Sequence, residues 1–176
     1  MSNVVSMLKV PSNAEPIAEL ILDSPCGVLW LAANESGLCY LRPISAQCAE
    51  LVSAPKPSHQ QAETILQQAK QQLIEYFAGT RQMFNVPLAP DGTAFQRKVW
   101  QQLMQIPYGD SCSYGELADQ IQQPTAARAV GTANGANRIA IIIPCHRVIG
   151  KNGQLTGYAW GLQMKQLLLD LEAKSK

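Results

Sequence analysis

The stretch "NVPLAPDG", residues 85–92, constrains the fold of this chain more than any other. Two prolines and a glycine in eight residues interrupt both helix and central strand, so this is the expected linker. The hydrophobic pattern changes across it. Upstream, "IAELILDSPCGVLWLAANESGLCYLRP" holds three short apolar runs separated by "SPCG" and "NESG", which carry the chemistry of tight turns. These runs read as three strands. "SAPKPSH" follows as a loop. Ala62, Ile65, Leu66, Ala69, Leu73, Ile74 and Phe77 then recur at helical spacing, closed by Gly79. The first part is expected to be a small antiparallel sheet with a helix packed on it.

Downstream the period is helical. Thr93 can cap a helix with Phe95, Val99, Trp100, Leu103 and Ile106 on one face, ended by Pro107 and Gly109. Ser113 can cap the next, "YGELADQI", with Glu116 completing a capping box. After the turn "QQPT" comes "AARAVGTANG", a third short helix of small residues. Two short helices joined by a tight turn make a helix-turn-helix pattern. An apolar run, Ile139 to Ile143, leads through Pro144 into the adjacent pair Cys145 and His146. "GKNGQLTGYAWG" is a glycine-rich loop and "LQMKQLLLDLEAK" a last amphipathic helix. The expected fold class is α+β. An N-terminal α/β domain spans residues 1–88, and a mainly α domain with the helix-turn-helix spans residues 89–176.

The bulk properties narrow the function classes. A chain of 176 residues can bury a sizeable core. It has no run of eighteen apolar residues, so no membrane span is expected, and no secretory signal is visible at the N-terminus. Five cysteines, at 26, 39, 48, 112 and 145, include no CxxC pair. That argues against a disulfide framework or zinc ribbon and for a reducing, intracellular setting, the cytoplasm in a prokaryote. Net charge is +1, but the halves differ. Residues 1–94 hold five Lys/Arg against eight Asp/Glu, and residues 95–176 hold nine against five. A polyanionic partner belongs with the second half.

From the residues alone, Cys145 is open to several readings. A lone cysteine in apolar surroundings is usually a small hydrophobe. A metal site needs three or four ligands, and the only other histidine is His59. A Cys-His hydrolase has no further signature here. His146 and Arg147, directly adjacent, are groups that can activate a thiol. Arg128 is the only charged residue in "AARAVGTANG". Small neighbours let that helix approach a groove, and a long cation on it can reach into a base stack.

Five signals in order, "FQRKVW", "SYGELA", "ARAVGTA", "PCHRV" and "GYAWG", resemble the O6-alkylguanine-DNA alkyltransferases. The match is close from about residue 93 to about residue 173 and only general before that. The resemblance implies direct-reversal DNA repair in a stand-alone form. An alkyl group on O6 of guanine, and on O4 of thymine, would pass irreversibly to Cys145 in a single turnover. His146 would act as base through a water, with Glu172 orienting its ring. Tyr114 would donate to the base, the carbonyls of Cys145 and Val148 would accept from the guanine amino group, and Tyr158 would wall the pocket. Asn137 would brace the segment between the recognition helix and the cysteine strand. Arg128 would fill the stack vacated by a flipped nucleotide, with Ala127, Ala129, Gly131 and Thr132 on the same helix against the DNA.

The implied partner is double-stranded DNA, bound through the minor groove with little sequence preference by a monomer. No cofactor, metal or membrane is implied. Four positions depart from the family pattern. Arg138 follows Asn137 where many members have proline. Ala159 stands where some have a serine that donates to O6. Ala140 and Ala159 would widen the pocket, and Trp160, in place of a glycine, would narrow its entrance. The alternatives are a non-catalytic lesion-binding relative, which typically lacks the cysteine, and a helix-turn-helix regulator, which would read the major groove with more polar side chains.

Overall fold

The computed structural model describes residues 15–50 and 59–175. They divide into two compact units, one ending at Asp91 and one beginning at Gly92. In the first, β1 (Ala18–Ser24), β2 (Gly27–Asn34) and β3 (Gly37–Pro43) form an antiparallel sheet in the order β1-β2-β3. Asn34 sets the second turn, its Oδ1 accepting from the amides of Ser36 at 2.8 Å and Gly37 at 3.2 Å. A short helix, α1 (Ala46–Ala49), follows β3 and was not foreseen. Most of the expected loop "SAPKPSH" lies outside the described residues.

Helix α2 (Gln60–Phe77) packs against all three strands. Its buried face differs in part from the expected one. Ile74 is 44% exposed, whereas Gln72 and Tyr76 are buried. Gln72 tolerates burial because its amide is matched: Oε1 accepts from the Asn85 amide at 3.0 Å and Nε2 donates to Asn85 Oδ1. Gly79 closes the helix with φ +73°, and Thr80 N–H returns to the Glu75 carbonyl at 3.0 Å.

The proline-rich stretch is not a slack tether. Val86, Leu88 and Ala89 are buried. The Leu38 amide donates to Pro87 O and the Ala89 amide to Leu38 O, both at 2.8 Å, so the segment lines the edge of β3. Gly37 permits this approach, since a Cβ there would sit 2.7 Å from Pro87 O.

The second unit contains α3 (Ala94–Leu103), β4 (Cys112–Ser113), α4 (Tyr114–Gln120), α5 (Ala127–Gly135), β5 (Val148–Ile149) and α6 (Leu162–Lys174). Both expected caps form, and both are full capping boxes. Thr93 Oγ1 accepts from Gln96 N at 3.2 Å while Gln96 Oε1 accepts from Thr93 N at 2.8 Å. Ser113 and Glu116 exchange the equivalent pair at 3.2 and 2.7 Å. Each cap contributes about 1 kcal/mol. Helix α4 and helix α5 are joined by a 3-10 turn, Pro124–Ala126, completing the helix-turn-helix. Trp100 of α3 is fully buried and donates Nε1–H to Ala133 O of α5 at 2.8 Å.

The segment carrying the cysteine is not a strand. The Ile142 amide donates to Ala140 O at 2.7 Å and the Cys145 amide to Ile143 O at 2.8 Å, so two γ-turns follow one another. Ile141, between the first pair, has φ +68°, a costly conformation for a β-branched residue. A short 3-10 helix, Cys145–Arg147, comes next and runs into β5, which pairs in parallel with β4. The apolar run reads like a strand because its residues are buried. Its backbone is bent where the Asn137 side chain bonds Ile139 and Ile143.

Candidate active site

Cys145 is 1% exposed, yet its surroundings are polar. Asn137 Nδ2 lies 3.0 Å from Cys145 Sγ. The same amide donates to Ile143 O at 2.9 Å and Ile139 O at 3.2 Å, and Asn137 Oδ1 accepts from Ile139 N at 3.0 Å. One buried side chain therefore holds the bent segment and the thiol together. Burial pushes the Cys145 thiol up to about 11, against hydrogen bonds from Asn137 and Tyr158 and the charge of Lys165, which favour the thiolate. At rest the sulfur is protonated and needs a base.

His146 is fully buried, and its Nε2 lies 2.8 Å from Glu172 Oε1 in α6. Burial alone would raise the Glu172 carboxyl. Hydrogen bonds from His146 and Arg147 outweigh it and bring the group down to about 2. An ionised carboxylate only accepts, so Nε2 carries the proton and Nδ1 is left as the acceptor. Nδ1 is buried with no protein hydrogen-bond partner among the described residues. Burial also lowers the imidazole pKa below 6.5, despite the opposing pull of Glu172. The ring is thus neutral at pH 7 and able to take a proton.

Glu172 is a hub. Arg147 grips it with a two-pronged pair, Nε to Oε2 at 2.9 Å and Nη2 to Oε1 at 3.0 Å. The Gly109 amide donates to Oε2 at 3.1 Å. Arg147 Nη1 continues to Ile106 O at 2.7 Å. This spends the desolvation cost of a buried ion pair on fixing one imidazole in one tautomer.

Tyr114, at the start of α4, bonds Thr156 O through its hydroxyl at 3.3 Å. A Cβ on Gly131 would stand 3.6 Å from its ring, so the ring lies against α5. Lys165, fully buried, donates Nζ to Val148 O at 2.5 Å and to the same Thr156 O at 2.9 Å. Tyr158 sits with its ring centroid 5.3 Å from that of Trp160, edge to face. Val148 is buried and Ala159 exposed.

Two family models match, each described as part of the 6-O-methylguanine DNA methyltransferases. The ribonuclease-like domain covers residues 17–90 and the DNA binding domain residues 94–174. The chain belongs to the 6-O-methylguanine DNA methyltransferase family. It is 49% identical over 152 residues to the methylated-DNA–protein-cysteine methyltransferase of Methanosarcina acetivorans, covering 86% of this chain and 96% of that one. To the protein of that name from Mycobacterium bovis it is 50% identical, covering 86% and 89%. The crystal structure of Mycobacterium tuberculosis OGT in complex with DNA superposes with TM-score 0.77 and 48% identity, covering 89% and 93%.

The family frame makes the placement of α5 informative. Arg128, Ala129 and Thr132 are exposed on one face, with Ala127 and Gly131 half-buried beside them. Val130, Ala133 and Asn134 form the buried face. Two residues of this site were not singled out as functional from sequence, Arg147 beyond its adjacency to the thiol and Lys165 altogether. Both are cations in patterns that read as solvated. In α6, Lys165, Leu168 and Glu172 are spaced three and four apart, which puts them on one helix face. That spacing was the available signal, and the two charges disguised a buried face as an exposed one.

Proposed function

We propose that this chain repairs O6-alkylguanine, and O4-alkylthymine, in duplex DNA by moving the alkyl group onto Cys145. One observation carries the reading: a buried thiol 3.0 Å from an asparagine amide, followed in sequence by a neutral histidine locked 2.8 Å from an ionised glutamate. That is the equipment for making a thiolate on demand in a dry site. The relatives named above as methylated-DNA–protein-cysteine methyltransferases, and the one solved with DNA, support it.

In this reading His146 Nδ1 takes the thiol proton, through a water as the resemblance implies. The sulfur lone pair forms a C–S bond to the alkyl carbon, opposite O6. The C–O6 bond breaks and its electron pair stays with the purine, which ends as guanine once the proton is passed on to it. Tyr114 donates a hydrogen bond to the base. The carbonyls of Cys145 and Val148 accept from its amino group, and Tyr158 and the Ala159 backbone border the pocket. The C–S bond of the thioether is inert to the groups of this site, since a thiolate leaves an unactivated alkyl carbon poorly, so each chain reacts once. Asn137 holds the thiol against the bent segment. Incubation with a duplex oligonucleotide carrying O6-methylguanine should add one methyl mass, on the peptide that contains Cys145. An unchanged mass in folded protein overturns the reading.

Arg128 lies on the exposed face of α5, which enters the minor groove in this proposal, and its guanidinium occupies the stack behind an extruded base. Contact with backbone and stack rather than base edges gives little sequence preference, and a monomer suffices. Arg128→Ala should slow transfer from duplex DNA by about tenfold, because extrusion costs a few kcal/mol. Free O6-benzylguanine needs no extrusion and should react within about twofold of the wild-type rate. Single-turnover rates on the two substrates decide it, and equal slowing of both removes Arg128 from this role.

A further inference from the structure

The helix that carries Arg128 also ends against the reactive residue. Asn134, in the last turn of α5, is 4% exposed. Its Nδ2 donates to the Cys145 carbonyl oxygen at 3.4 Å. Its Oδ1 is buried without a hydrogen-bond partner among the described residues. An unmatched buried acceptor lowers stability, and the other buried side chains of this helix are apolar, Val130 and Ala133. Packing alone favours a hydrocarbon at this position.

The carbonyl that Asn134 holds belongs to the first residue of a three-residue 3-10 turn, whose own bond comes from the Val148 amide. So short a turn is weakly self-supporting. Asn137, three residues further, holds the sulfur of the same cysteine at 3.0 Å, and the Asn137 amide donates to Asn134 O at 3.3 Å. Two linked asparagines thus grip the two ends of Cys145, one at the thiol and one at the peptide.

We infer that Asn134 is a positioning residue that fixes the Cys145 peptide, and through it the line of attack of the thiol, at a cost in stability. The inference rests on the proposed transfer to Cys145. A misplaced nucleophile slows every substrate, with or without DNA, because the reacting atoms must meet in line. This separates Asn134 from Arg128, whose effect is confined to duplex. Methionine is the replacement of choice, since it is flexible and fills irregular space.

The test compares wild type with Asn134→Met and Asn134→Ala. Transfer from an O6-methylguanine duplex and from free O6-benzylguanine is followed to completion, and melting temperature is measured alongside. Because each molecule reacts once, the end point counts folded, competent chains and the rate constant reports positioning. Asn134→Met should react about tenfold more slowly with both substrates, reach the wild-type end point, and melt no lower than wild type. An unchanged rate constant in both variants leaves Asn134 a packing residue and overturns the inference. So does slowing confined to duplex DNA. No transfer by the wild-type chain overturns the proposed function itself, and the inference with it.

Discussion

Cys145→Ser should lower the rate of methyl transfer by more than about 10³-fold while leaving affinity for duplex DNA within about twofold of wild type. Serine fits the same space and keeps a hydrogen bond to Asn137. What it loses is a soft, polarisable nucleophile that a histidine can deprotonate. The thiol's pKa does not by itself mark it as reactive, since burial raises Cys26 and Cys112 to about 11 as well. Cys145 differs in being gripped by Asn137 and followed by the His146–Glu172 pair. Single-turnover kinetics with a labelled oligonucleotide, and anisotropy for binding, measure the two quantities separately. Residual fast transfer in the serine variant would move the acceptor to another cysteine. Lost binding would give the thiol a part in holding DNA.

Glu172→Gln should destabilise the chain by roughly 3–5 kcal/mol, because it leaves the Arg147 guanidinium buried without its carboxylate. The same change loosens His146, so chemistry should slow as well. Acid provides an independent check. The carboxyl is depressed from 4.5 to about 2 in the folded chain, so its contribution is fully present above about pH 4.5. It is lost progressively as pH falls from 4.5 towards 2. Wild-type stability should therefore drop faster than that of Glu172→Gln over this window, and the two curves should converge. Glu75 and Glu116, also held below their usual range by hydrogen bonds, are present in both proteins and cancel. Urea unfolding at several pH values supplies the comparison. Parallel curves would show that Glu172 is not held ionised by its partners.

Features that depend on near neighbours were legible in the sequence. The cap at Thr93 and the capping box at Ser113 require residues only three apart, and the turn at Asn34 only two or three. The three strands and the helix-turn-helix follow from local periodicity and turn residues. Cys145 and His146 announce themselves by adjacency. Structure departs from the sequence pattern where burial overrides it. Helical spacing puts Ile74 on the core face of α2, but Gln72 takes a place there because Asn85 matches its amide. Ile139 to Ile143 looked like a strand, but Ile141 turns the chain with φ +68°.

By itself, then, the sequence determined the three strands of the sheet and the longer helices, the adjacent Cys145 and His146, and the solitary cation of α5. These rest on spacings of one to four residues, which covalent geometry translates directly into direction. Tertiary structure decided the distances and the burial around the thiol. Glu172 meets His146 across 26 residues and the Gly109 amide across 63, and Lys165 turns inward to Val148 across 17. Hydrogen bonding and desolvation depend on distance in space, and across such separations the chain encodes that distance only through the packing of the whole unit. The same packing turns two cations and a carboxylate, each with the sequence character of a surface residue, into a buried frame around Cys145 and His146.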